Sequence, residues 1–140
     1  MYGVLDTSAS ALIAYRTQLN VIAGNIAMKD STTVDENGEV FPYRRHVALM
    51  ATGDPSRGEG APGVHVSSIV EDPAPFGLRP DPTHPDAIKT GPNKGSVRIS
   101  NIDYHTEMVN AITAARAYEA NVTVIEMMKT MSATSLRLIA

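Results

Sequence analysis

The stretch ARAYEANVTVIEMMKTM, residues 115–131, decides how the chain is read. It holds no glycine or proline, and apolar side chains recur along it at helical spacing. Met108, Ala115 and Val122 lie seven apart, as do Ala111, Tyr118 and Ile125. The stripe then drifts to Val124, Met128, Met131 and Leu138. No Gly or Pro occurs from Ser96 to Ala140. Asn101 or Asp103 can cap the start with a side-chain oxygen. A helix from Asp103 to Ala140 would be about 57 Å long. A breaker-free run of that length points to a coiled coil rather than a helix of a globular core.

The other end of the chain reads the same way. TSASALIAYRTQLNVIAGNIA, residues 7–27, places Leu12, Leu19 and Ile26 seven apart, with Leu5 extending the line. Ala9, Ile13, Ile22 and Ala23 flank it. Asp6, Thr7 or Ser8 is the expected cap. From Met1 to Met28 the only charges are Asp6 and Arg16, fewer than a solvated lone helix carries. This helix is expected to be buried on more than one side.

Between the two, all nine prolines lie from Pro42 to Pro92, and eight of the ten glycines from Gly38 to Gly95. Proline lacks a donor and glycine raises the entropy cost, so the middle cannot be a long helix. VFPYRRHVALMA, GVHVSSIVED and GSVRISNI read as strands bounded by turn residues, within a small domain of three to five short strands. GEGAPG is expected to be a mobile loop. The fold class is α+β: a helix over 1–30, a β-rich insert over 31–100, and a helix over 101–140. Two helices with apolar faces this wide cannot cover each other fully, so further copies must cover the rest.

The bulk numbers exclude much. The chain has 140 residues, a formal net charge of -3 and no cysteine. That charge gives no general attraction to nucleic acid or anionic membranes. No apolar run approaches a membrane span, and no signal peptide is visible. No pair among His46, His65, His84 and His105 has HxxxH spacing, and no catalytic triad or phosphate loop is indicated. Neither cofactor nor metal is expected, nor enzymatic activity. Met127, Met128 and Met131 read as adaptable packing, and DPTHPDA as a rigid turn.

QLNVIAGNIA, DSTT, PYRRHVAL, DPTHPDA and ARAYEANVT occur in this order. In that combination the chain resembles the flagellar basal-body rod proteins, from about Leu5 to Leu138. It departs from their usual pattern at Met28, where Asn is common, and in GSVRISNI. The resemblance implies a structural, non-enzymatic subunit of the bacterial flagellum, needed for motility and sited in the periplasmic basal body. It implies type III export without a cleaved leader, and a helical assembly. The terminal helices would form an inner coiled-coil layer that walls the export channel and transmits torque. Implied partners are further copies, the rod proteins FlgB, FlgF and FlgG, the adapter FliE, the MS ring and the export apparatus.

The expected assembly surface is Leu12, Arg16, Leu19, Asn20, Ile22, Ala23, Asn25 and Ile26 on the first helix. On the second it is Arg116, Tyr118, Glu119, Asn121, Val122 and Ile125. Asn20, Asn25 and Asn121 sit near the stripes, where a buried Asn demands a partner and fixes register. Arg116 and Glu119 can pair along the helix or bridge to a neighbouring subunit. A soluble adaptor or chaperone-like module would use the same apolar faces to hold one client. A peripheral membrane helix would carry a lysine-rich polar face, which residues 5–26 lack.

Overall fold

Gly and Pro confine long helices to the two ends, and the fold obeys them. The structure is a computed structural model that describes residues 2–36, 38–54 and 61–139. The order is α1 (Tyr2–Met28), β1 (Thr32–Val34), β2 (Val40–Pro42), β3 (His46–Thr52), β4 (Val64–Glu71), β5 (Gly77–Pro80), β6 (Ser96–Ile99) and α2 (Tyr104–Ile139). The strands form three antiparallel two-stranded ribbons, β1–β2, β3–β4 and β5–β6. GEGAPG lies partly outside the described residues, and so does the side chain of Leu138.

α1 starts at Tyr2, ahead of the expected caps at Asp6, Thr7 and Ser8. No breaker stops it there. The Thr7 hydroxyl donates back to the Gly3 carbonyl at 2.8 Å, and Ser8 is buried within the helix. α2 begins where its cap requires. Asp103 Oδ2 accepts from the Thr106 N–H at 3.2 Å and from its hydroxyl at 2.6 Å. Those bonds hold the Asp103 carboxyl below its usual range, the Thr106 hydroxyl first among them. Asn101, the other candidate cap, is engaged elsewhere.

The two helices lie side by side and antiparallel, with the end of α1 bonded to the first turn of α2 through Asn25 and Glu107. On α2 the covered residues follow two seven-residue lines: Glu107, Ala114, Asn121 and Met128, and Ala111, Tyr118 and Ile125. On α1 they are Ser8, Tyr15 and Ile22, and Ala11, Gln18 and Asn25. The expected stripe is therefore partly misphased. Met108, Val124 and Met131 are exposed, because they sit to the side of the seam. Leu12, Leu19 and Ile26 lie along its edge, half-buried.

A second face of α1 packs on β3 and β4. The Ser10 hydroxyl accepts from the Val64 N–H at 3.1 Å. A Cβ at Gly63 would come within 3.0 Å of that hydroxyl, so glycine permits the approach. The other ribbons are tied across by Arg98 of β6, which pairs with Glu39 at 3.1 Å and lies 4.3 Å above the Phe41 ring.

Candidate functional site

The described chain has one dense polar centre, at the corner where α1 ends, β3 begins and α2 begins. Glu107 is 0% exposed and Asn25 1%. A charge so deep needs partners. Arg45 supplies one, its Nε donating to Glu107 Oε1 at 2.8 Å. Asn25 supplies the other, its Nδ2 donating to Glu107 Oε2 at 3.0 Å.

Asn25 also mimics a strand neighbour. Its Nδ2 donates to the His46 carbonyl at 2.8 Å, and its Oδ1 accepts from the His46 N–H at 2.9 Å. One side chain thereby fastens α1 to the edge of β3 and to α2. One residue earlier Asn101 accepts the Arg45 N–H at 2.9 Å. Arg45 reaches on to Asp72, 3.2 Å away. Burial works against the Arg45 charge, but its bonds to Glu107 and Asp72 outweigh that and raise its pKa above the ordinary value. Asp72 is held below the usual carboxylate range, first by the Ala74 N–H and then by Arg45. Among the described residues no buried side-chain polar atom lacks a partner. The corner ties α1, β3 and α2 together as a mechanical joint.

The outward faces are of another kind. On α2, Val109, Ile112, Arg116, Ala120, Thr123, Met127 and Met131 are exposed on the side opposite the seam. Val109 is 62% exposed and Met127 60%. The Thr123 hydroxyl donates to the Glu119 carbonyl at 3.0 Å, which satisfies it within the helix. On α1 the open face is Ala9, Ile13, Arg16, Asn20, Ala23 and Ala27. The start of α1 falls about level with Thr130 if the Asn25–Glu107 register is carried along. Beyond it, about 14 Å of α2 has no helix beside it. Leu136 there lies on the seam side and is 67% exposed.

Of the expected surface, Arg16, Asn20, Ala23, Arg116 and Glu119 face outward. Leu12, Leu19, Ile26 and Val122 are half-buried at the seam's margins. Ile22 and Asn25 are buried by the chain itself, and Tyr118, Asn121 and Ile125 lie half-buried on the seam. Asn121 donates to the Ala117 carbonyl of its own helix at 2.7 Å. Arg116 and Glu119 form no ion pair among the described residues. Val109 and Ile112 are not among the expected surface residues, and Met127 is expected only as adaptable packing, although an apolar line at the same period on the far side of the helix marks all three. No group of described residues is placed to hold a metal. None of the described helices is long and apolar enough to cross a membrane.

A family model described as the C-terminal region of flagellar basal body rod FlgEFG proteins matches residues 93–138, which take in β6 and nearly all of α2. Over almost its full length the chain is similar to flagellar basal-body rod proteins FlgC. It is 40% identical over 139 residues to that of Bacillus subtilis, covering 91% of this chain and 90% of the relative. It is 39% identical over 131 residues to that of Buchnera aphidicola from Acyrthosiphon pisum, with 94% and 92% covered. It is 36% identical over 138 residues to that of Salmonella typhimurium, with 99% and 97% covered.

Proposed function

Because the chain belongs to the family of flagellar basal-body rod proteins FlgC, we propose that it joins the proximal rod through the outward faces of its terminal helices. It is a structural subunit of the flagellar basal body and assembles with other rod components. The helix pair forms the inner layer and walls the export channel, while the ribbons lie outside. The subunit carries torque and catalyses nothing. It works in the periplasm, reached unfolded through the type III export apparatus without a cleaved leader. FlgB, FlgF, FlgG, FliE, the MS ring and further copies are its neighbours. The expected surface residues act on two sides of this design. Arg16, Asn20, Ala23, Arg116 and Glu119 meet neighbours, and the seam residues hold the helix pair that presents them.

One observation carries the proposal: α2 covers one side within the chain and leaves an apolar line, Val109, Ile112, Met127 and Met131, in solvent, with Ile13 of α1 exposed beside it. Water penalises such a face until another subunit covers it. The test uses a flagellated bacterium whose only rod subunit of this kind is this chain. Val109→Asp with Met127→Asp should abolish swimming while the chain remains folded and exported. Unchanged swimming would contradict the proposal.

A further inference from the structure

The outward face of α2 carries two thioethers one helical turn apart. Met127 and Met131, with Thr123, Glu126 and Thr130, line a shallow hollow of about 450 Å³. Residues four apart are neighbours on a helix surface, so both side chains border the same hollow. Met127 is 60% exposed and Met131 57%. The other methionines whose side chains are described are better covered. Met28 is 44% exposed, Met108 39% and Met50 36%, and Met128 is half-buried on the seam. The Met28 sulfur also accepts a bond from the Ser31 hydroxyl at 3.7 Å. In the hollow, the Thr123 and Thr130 hydroxyls donate instead to the Glu119 and Glu126 carbonyls, at 3.0 Å each. The lining hydroxyls are thus committed to the backbone, and the thioether lone pairs are open to small solutes.

On the footing of the rod-subunit reading, we propose that Met127 and Met131 form an oxidation site at which a peroxide bars the subunit from assembly. The reaction is a two-electron oxygen transfer. A sulfur lone pair attacks one oxygen of hydrogen peroxide, an S–O bond forms and the O–O bond breaks. The hydroxide released takes the proton left on the transferred oxygen and departs as water. The thioether is oxidised to a sulfoxide, and the peroxide is reduced. Glu126 on the rim repels anionic oxidants, so a neutral peroxide is the fitting reagent.

Oxidation replaces an apolar, adaptable side chain with a polar one that carries a strong acceptor. A neighbour that covers this face must then bury the new oxygen, and burying a polar group without a donor opposes the contact. Neither methionine lies on the seam, so the helix pair keeps its own packing. The site is reachable in a subunit that awaits assembly and closed once a neighbour covers it. Oxidation therefore stops new subunits and spares rods already built.

The test has two arms. In the first, the purified chain is treated with hydrogen peroxide and the added oxygens are mapped by peptide mass spectrometry. Met127 and Met131 should be oxidised about twofold or more faster than Met28, Met50, Met108 and Met128. A rate at any of those four equal to that at Met127 and Met131 would overturn the inference. In the second arm, flagellated cells that make this chain are exposed to peroxide while rods assemble. Sulfoxide at Met127 and Met131 should be about tenfold or more richer in the unassembled chain than in purified basal bodies. Cells carrying Met127→Leu with Met131→Leu should go on building rods at a peroxide dose that halts the unsubstituted chain. If the dose halts both alike, or if the sulfoxide is equally abundant in basal bodies, the inference falls and the rod-subunit reading stands. Absence of the chain from basal bodies without peroxide would overturn both.

Discussion

The two ends of the helix pair solve opposite problems. At the joint, Glu107, Asn25, Arg45, Asn101 and Asp72 bond chiefly to one another and to the backbone beside them. At the far end, α2 runs on past α1 with Met131 and Leu136 bare. Polar groups with fixed geometry give one arrangement and no other. Methionine, leucine and threonine methyls give adhesion with tolerance. A subunit needs the first to hold its helices at a set angle to the ribbons. It needs the second to meet neighbours that are similar but not identical.

The sharpest way to break this contrast is at Glu107. Glu107→Ala removes a charge-assisted hydrogen bond from each of Arg45 and Asn25, which keep Asp72 and His46, and should cost about 3–5 kcal/mol. The melting temperature should drop by roughly 10 °C or more. A change of only a degree or two would mean that the joint is decorative. Next in size is Asn25→Ala, which deprives the His46 N–H and carbonyl of their partners at once. About 2–3 kcal/mol of stability should be lost, with faster amide exchange at His46 than elsewhere in β3.

Much of this architecture was legible beforehand. Helices at both ends and strands between follow from where Gly and Pro fall, and α2 starts at the cap residue Asp103. The joint was harder to read. Its bonded residues lie far apart in sequence, Asn25 from Glu107 by 82 positions and Arg45 from Asn101 by 56. No local pattern records such pairings. The available clue was polar: Glu107 and Asn25 sit on seven-residue lines otherwise meant for burial. β1 and β5 were missed because short strands such as TTV and GLRP carry too little alternation. The helical phase slipped because α2 bears apolar residues on two sides, and a search for one stripe averages them.

Seam and surface can be separated by charge insertion. Ile125→Asp places a carboxylate at the half-buried seam and should destabilise the monomer by about 1–3 kcal/mol. Thr130→Asp, on an exposed position, should change it by no more than about 0.5 kcal/mol. Equal losses in thermal melts would show that the seam has been assigned to the wrong line.

Acid gives the gentlest test. Asp72 and Asp103 have folded pKa values below their unfolded ones, which lie near 3.9. Their contribution to stability is therefore present above about pH 4 and is lost as pH falls through the folded values. Asp72→Asn and Asp103→Asn should each flatten the fall in stability below about pH 4. If the acid limb stays as steep in both, other carboxylates carry it.

The most direct measurement is hydrogen exchange on the isolated chain, residue by residue, followed by the same measurement in the assembled rod. Slow exchange around Asn25, His46 and Glu107 is expected already in the isolated chain. Fast exchange is expected over residues 131–139, slowing only on assembly. If α1 and α2 instead exchange at unfolded rates along their whole length until the rod forms, the joint is a product of assembly, and the central claim that it is built into the subunit fails.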